Sequence, residues 1–404
     1  MRDFGRLVAL MTFTLSLAAG GALRAGEAQG GKPDPAAEKA CLEFARKVEE
    51  TINAGDPSIL DKAFDRGAML ALALDGLDVS PQTMSGINAG LKDFSLGSLV
   101  VAQSIRSGGS YKFLRLRTVG GQPRALFRLL QNSEGGLNYH ELILAPQPGG
   151  APRVPDFYVY LSAERMSETM RRALLPAVAE QNKGLIAKLT GQQSDFVRNL
   201  PKIQAVQAQN RAGKHAEALA TLKTLPASLQ TDKNVLITRV GIAANVGEEE
   251  HLAALEAMRV ALPGDPCLDI MSMDALFLRK KYAETIAAVD RVDKLVGGDS
   301  YLHVFRGAVQ LAQKQLDKAR ECVQKALDAE PKMIQAHFTM IAVCLAQKDY
   351  AAVAKSLSYL ENDMGVELND LAQVPDYADF VKSEEYRKWQ AGRKKPASAP
   401  GAAQ

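Results

Sequence analysis

Lys280-Lys281-Tyr282, Lys314-Gln315-Leu316 and Lys348-Asp349-Tyr350 put a lysine, a second polar residue and a large apolar or aromatic side chain in one frame, three times, at intervals of 34 residues. A fixed period of that length belongs to a two-helix repeat. One such hairpin cannot bury its apolar face alone, so neighbours stack into a solenoid whose curvature leaves an extended surface for another chain.

Working outward, the unit from Ser300 to Met333 carries Gly307 on its first helix, Ala319 and Ala326 on its second, and Pro331 near its end. The next, from Ile334, has Ala336-His337-Phe338 early and Leu357 and Leu360 late, with Val353 at the position of Ala319. The preceding unit, from Pro266, keeps Tyr282 and has Thr285 there. Ala254, Met258, Ala261 and Pro266 fit a unit from Val235, and Gly213 to Leu219 reads as the turn and second helix of one from Asn199. Helical apolar spacing and turns at Gly213, Gly247 and Gly297 lead to the same division.

These units resemble the tetratricopeptide repeat. In that family small residues let the two helices approach and a proline ends the unit; Gly307, Ala319, Ala326 and Pro331 hold those places here. The resemblance covers residues 199–364, about five units. It implies a partner-binding face lined by the first helix of each unit, here Ile270, Phe277, Tyr301, Phe305, Leu311, Phe338 and Leu345. That lining lacks the lysines and asparagines with which some members clamp a terminal carboxylate, and suits an amphipathic helix or an extended apolar segment. Residues 365–392, with Trp389 packed inside, read as a C-terminal cap, and residues 393–404 as a disordered tail.

From residue 35 to 165 the pattern is different. Helices are expected at Ala37–Ala54, Ser58–Leu74 and from Pro81 to Ile105, the last broken by Gly86, Gly90 and Gly97. Four strands follow with period two, at Tyr111–Thr118, Arg124–Gln131, Leu137–Leu144 and Val154–Leu161. A two-residue turn at Gly120-Gly121 pairs Arg117 with Arg124 and Arg115 with Leu126. One face then carries Arg115, Arg117, Arg124 and Arg128, a solvated face ion-paired with Glu134, Glu141 and Asp156; the other carries Leu114, Leu116, Ala125, Phe127 and Leu129. A turn at 133–136 sets Glu141 opposite Arg128. The order of helices and then an antiparallel meander resembles the nuclear transport factor 2 and cystatin-like folds. The fold class is therefore an α+β domain followed by an all-α solenoid, joined by a helical linker at 166–198.

His140 falls on the apolar side of the sheet and is the candidate pocket acid or base, against its reading as a core histidine. His140-Glu141 begins like a zinc-protease motif but lacks the second histidine and lies on a strand. No phosphate loop, dinucleotide fingerprint or nucleophile elbow occurs, so neither catalytic residues, metal nor cofactor are expected. Four cysteines without C-x-x-C spacing point to buried thiols, with a Cys322–Cys344 bridge left open.

Arg2 and Arg6 before the apolar run Leu7–Ala19, then Ala22 and Ala25, read as a signal peptide over residues 1–25. The run is too short to span a bilayer, which needs roughly 20 apolar residues. Cleavage would remove three arginines and one aspartate, lowering the formal charge from +3 to +1 and leaving no basis for nucleic-acid binding. The chain reads as an exported, periplasmic or secreted scaffold for a protein or peptide. Other readings are a ligand binder or enzyme working at His140, and a homo-oligomer built through the repeats.

Overall fold

The computed structural model describes residues 35–105, 108–131, 136–181, 191–368 and 370–393. The expected signal peptide, the tail after Arg393, Glu134 and most of the turn before Gly136 lie outside the described residues. The chain divides into two compact units, which meet in sequence at Met271 and Ser272.

The first unit opens with α1 (Pro35–Asn53), whose buried Cys41, Phe44, Ala45, Val48 and Ile52 recur at helical spacing and form one face. The expected second helix is two, α2 (Ser58–Ala63) and α3 (Arg66–Leu74). The break is tertiary in origin: Phe64 bridges to Val154 of the sheet, and Asp65 donates its N–H to the Val154 carbonyl and caps Ala68 N through its carboxylate. Ser80 and Ser95 then cap α4 (Pro81–Gly90) and α5 (Leu96–Gln103). Gly97, expected as a breaker, sits inside α5. A Cβ there would stand 2.4 Å from the Pro57 carbonyl oxygen, so glycine is what lets α5 dock.

The strands β1 (Ser110–Val119), β2 (Gln122–Gln131), β3 (Gly136–Gln147), β4 (Gly150–Val159) and β5 (Glu164–Arg165) form an antiparallel meander in chain order. Gly120 and Gly121, at φ 58° and 78°, make the tight turn, and Arg117 faces Arg124 and Arg115 faces Leu126 as the sequence requires. Two details differ. Leu114 is the extra residue of a bulge, so Phe113 and Leu116, not Leu114, join the core face. The second turn sets Glu141 opposite Leu126, and Arg128 opposite Tyr139.

Part of each edge of the sheet is covered. On β1, Tyr111 N donates to Asn53 Oδ1 at 3.0 Å, Tyr111 O accepts from Asn53 Nδ2 at 2.7 Å, and Phe113 N donates to Glu49 at 3.1 Å. On β4, β5 covers one end and Phe64-Asp65 the other. Such covering shortens the row of free backbone groups through which sheets recruit further strands. The helix α6 (Met166–Gln181), expected as linker, belongs to this domain: Met166, Met170, Leu174 and Val178 enter the core under the sheet.

Helices then pair along the rest of the chain. In the first unit α7 (Gly191–Arg198), α8 (Leu200–Arg211), α9 (His215–Lys223), α10 (Ala227–Gln230), α11 (Lys233–Ala244) and α12 (Glu248–Ala261) precede α13 (Pro266–Leu278), which carries the boundary. The second unit holds α14 (Tyr282–Val296), α15 (Ser300–Ala312), α16 (Leu316–Ala329), α17 (Ile334–Gln347) and α18 (Tyr350–Asn362).

The frames at Lys280, Lys314 and Lys348 are three copies of one turn. Lys280, Lys314 and Lys348 adopt φ of 60°, 60° and 58°. The following N–H reaches back to the carbonyls of Leu276, Gln310 and Cys344 at 3.0, 2.9 and 2.9 Å, closing each first helix in a Schellman motif. Gly213, at φ 73°, does the same in the first unit. Gly307 lies against the second helix of its hairpin, where a Cβ would meet Val323 at 2.5 Å. Arg306 ties α15 to Asp290 and Asp293 of α14 at 2.7 and 2.8 Å, and Arg320 reaches Asp349 at 2.8 Å.

The stack ends on short 3₁₀ turns and α19 (Glu384–Gly392), whose Trp389 and Tyr386, with Phe380, bury against Val353, Leu357 and Leu360. The four thiols are unpaired, and burial pushes the Cys344 and Cys322 thiols up.

A left-handed non-glycine residue costs about 1–2 kcal/mol, against about 0.5–1 kcal/mol of backbone entropy that glycine forfeits. Lys314→Gly is therefore expected to stabilise the protein by roughly 0.5–1 kcal/mol, a rise of a few degrees in Tm by thermal melting. A lowered Tm would contradict the left-handed turn.

Candidate functional site

The face made by the first helices of the second unit is the leading candidate. Positions 34 apart form ladders: Phe277, Leu311 and Leu345 are each half-buried, and Leu278 stands beside them with 77% of its surface exposed. Phe338, 41% exposed, occupies the position that Val304 holds one unit earlier and Ile270 two units earlier, where both are buried. Phe305 meets Phe277 edge-on at 6.0 Å, and Tyr301 and Leu345 pack partly onto the core beneath. Of the seven residues expected on this face, Ile270 is thus core, five are half-buried and Phe338 is exposed. Exposed large apolar side chains are the informative part of such a surface.

His140 lies elsewhere, on the inner face of the sheet. It pairs with Phe127 and Val159 across the strands and is enclosed by Phe157 at 4.8 Å and Tyr111 at 5.7 Å between ring centroids. Burial pushes its pKa down to about 3, so the ring is neutral at physiological pH. Nε2 lies 3.4 Å from the Asn138 amide, and Asn138 Oδ1 accepts from Tyr139 N and Leu161 N. This places His140 in a packed aromatic layer. A base held that low is poorly matched to proton transfer near neutrality.

The opposite face of the sheet overturns the expectation of a solvated surface. It is ion-paired, but Arg128 and Glu141 are only 2% and 1% exposed, and Leu126, Tyr139, Ile143 and Tyr160 are buried with them. Glu141 bridges Arg124 at 3.1 Å and Arg117, and the Tyr160 hydroxyl donates to it at 3.2 Å. Asp156 accepts from Ser167 Oγ at 2.6 Å and Ser167 N at 3.1 Å, and Arg172 pairs with Glu164. The Tyr158 hydroxyl, pushed up by burial, is raised further by Tyr160 and by Asp265 and Cys267 at the start of α13, which lie near this face. Arg–carboxylate pairs can be retained in such an interior because each charge finds a partner. The strand alternation marks this face as polar. Nothing in it signals that the face is buried.

Asp232, 2% exposed, caps α11 by accepting from Asn234 N and Val235 N. Burial outweighs those bonds and the nearby Arg172, and lifts its pKa to about 7. A surface hollow of about 640 Å³ lies between α1 and β1. Its polar groups are committed to edge lacing: Glu49 holds Lys112 at 2.8 Å as well as Phe113 N. Among the described residues no group of three or more histidine, cysteine or acidic side chains could hold a metal ion. No helix among them is long and apolar enough to cross a membrane.

The geometry defines a helical-repeat protein fused to an α+β domain. No protein-family model matches the chain, and no curated protein does. Among solved structures, MamA from residue 41 onward of Desulfovibrio magneticus RS-1 is similar at 20% identity, covering 41% of this chain and 96% of its own, with a TM-score of 0.37. The MamA RS-1 ArsTM double mutant is similar at 21% identity, covering 39% and 89%, with a TM-score of 0.35.

Because the Asp232 carboxyl binds its proton more tightly folded than unfolded, it favours folding at low pH, and that contribution is lost as pH rises from about 4 to about 7. Asp232→Asn keeps a capping side chain without the charge. It is expected to raise Tm at pH 8 by an amount on the order of 2 kcal/mol of stability, and to shrink that gain at pH 5. An equal difference at both pH values, read by thermal melting, would contradict the shift.

Proposed function

We propose that this chain is a non-enzymatic scaffold that holds a protein or peptide partner on the first-helix face of its repeats and works after export from the cytoplasm. The observation that carries the binding reading is the half-exposed apolar ladder Phe277, Leu311 and Leu345, flanked by Leu278 and Phe338 in water. Isolated exposed apolar residues need no explanation, but repetition in register along a stack is what a continuous docking strip requires. The strip contains no titratable pair of catalytic type, which favours binding over chemistry.

Phe338 and Leu278 contribute little to the core, so Phe338→Ser with Leu278→Ser is expected to leave Tm within about 2 °C of the parent. The same variant is expected to weaken partner retention by about tenfold or more, roughly 1.4 kcal/mol, in quantitative affinity capture with the full-length protein. Unchanged retention of every partner would overturn the reading.

Export rests on the charged, apolar and small-residue segments before Gly26. Intact-mass analysis of protein expressed in its own host is expected to show a chain beginning at Leu23 or Gly26. A full-length amino terminus would remove the export half of the proposal.

A further inference from the structure

We infer that the partner segment is an acidic amphipathic helix, oriented by a column of three lysines, Lys280, Lys314 and Lys348, that borders the apolar ladder. The inference rests on the binding reading above and adds the chemistry of what is bound.

Three observations carry it. The lysines are exposed, and none of the three forms an ion pair among the described residues. The acids nearest in sequence are engaged elsewhere: Glu284 with Lys281 at 3.2 Å, Asp317 with the Gln347 amide at 3.1 Å, and Asp349 with Arg320 at 2.8 Å. The three ammonium groups are therefore left available to the acids of a partner.

Second, each lysine occupies a left-handed backbone position at which glycine or asparagine would be easier, as Gly213 shows at φ 73° in an earlier turn. A lysine kept at some conformational cost at all three turns points to a use for its side chain.

Third, each lysine follows its ladder residue by three positions: Phe277 and Lys280, Leu311 and Lys314, Leu345 and Lys348. The apolar and positive columns thus run side by side along the stack.

The spacing selects the occupant. The first helices α15 and α17 pack directly on each other, which sets Lys314 and Lys348 roughly 10 Å apart. In an extended chain that distance is about three residues, and an odd interval sends successive acids to opposite sides. In a helix it is about seven residues, two turns, so acids at that interval share one stripe beside an apolar stripe. Glutamates on one such stripe would meet the three lysines while leucines on the next cover Phe277, Leu311 and Leu345.

The probe is a fluorescein-labelled synthetic helix of about 21 residues with a leucine stripe and glutamate every seventh position, beside a version with glutamine in place of glutamate. Both are titrated with the full-length protein by fluorescence anisotropy. The glutamate peptide is expected to bind about tenfold tighter than the glutamine peptide, with the difference shrinking as salt is raised. K280N/K314N/K348N should remove the difference. Asparagine tolerates the left-handed turn, so this variant is expected to melt no lower than the parent and a loss of binding is not a loss of fold.

Equal affinity for the two peptides, an unaltered preference in the lysine variant, or no binding of either peptide would overturn the acidic-helix assignment. Binding to phosphatidylserine vesicles alone would overturn it too, assigning the column to a lipid surface. Phe338→Ser with Leu278→Ser separates the two levels of the proposal. If it weakens both peptides equally while the lysines prove indifferent, the apolar strip stands and the column fails. If glutamate-peptide binding depends on the lysines and ignores Phe338 and Leu278, the column stands and the strip fails.

Discussion

A two-helix hairpin has more apolar surface than one neighbour can cover, and the whole chain is arranged around that surplus. Burying a leucine, valine or phenylalanine fully is worth about 1.5–3 kcal/mol, so an uncovered hairpin face would cost more than a small protein can spare. Inside the stack the solution is the next hairpin. At the carboxyl end Phe380, Tyr386 and Trp389 close over Val353, Leu357 and Leu360. In the first unit Asp265 and Cys267, at the start of α13, lie close enough to the outer face of the sheet to act on Tyr158. The middle strands of this sheet are buried on both faces, and their charged side chains must find partners within.

That arrangement explains the contrast between the sheet's two faces. The inner one is an ordinary core, with Tyr111 stacked on Phe127 at 4.6 Å and His140 held neutral among aromatic rings. The outer one is polar and buried, and Glu141, Arg117, Arg124 and Tyr160 satisfy one another there. Breaking such a group by removing one member leaves a charge without compensation, which is far more damaging than losing an exposed pair. The strict pairing is thus a constraint on how the sheet and the helices above it can vary.

Local signals in the sequence were sufficient wherever local physics decides. The 34-residue period, the turn at Gly120-Gly121 and the pairing of Arg117 with Arg124 all follow from spacing and turn chemistry, and the small residue at Gly307 marks a close helix contact. What escaped was set by distant contacts. The break between α2 and α3 is made by a bridge from Phe64 to Val154, 90 residues away in sequence. The bulge at Leu114 shifts one side chain off the core, and α6 joins the first domain because the sheet offers Met166 and Met170 a place to bury. The burial of the arginine face was invisible for the same reason: alternation reports polarity, and polarity ordinarily means solvent. On the candidate binding face the ladder residues were legible from the period. The lysines mark the frame of the period, while their unpaired charge and left-handed backbone belong to the folded chain.

The identity of the turns at Lys280, Lys314 and Lys348 has one more implication. Each closes its helix with the same backbone bond and hands the chain to the next helix in the same orientation. Array length can therefore change during evolution in whole quanta of 34 residues, by duplication or excision between equivalent turns, with both junctions unaltered in local geometry. A gain or loss of any other length would throw the helices out of phase, which makes this part of the gene tolerant of recombination and intolerant of small insertions within the helices.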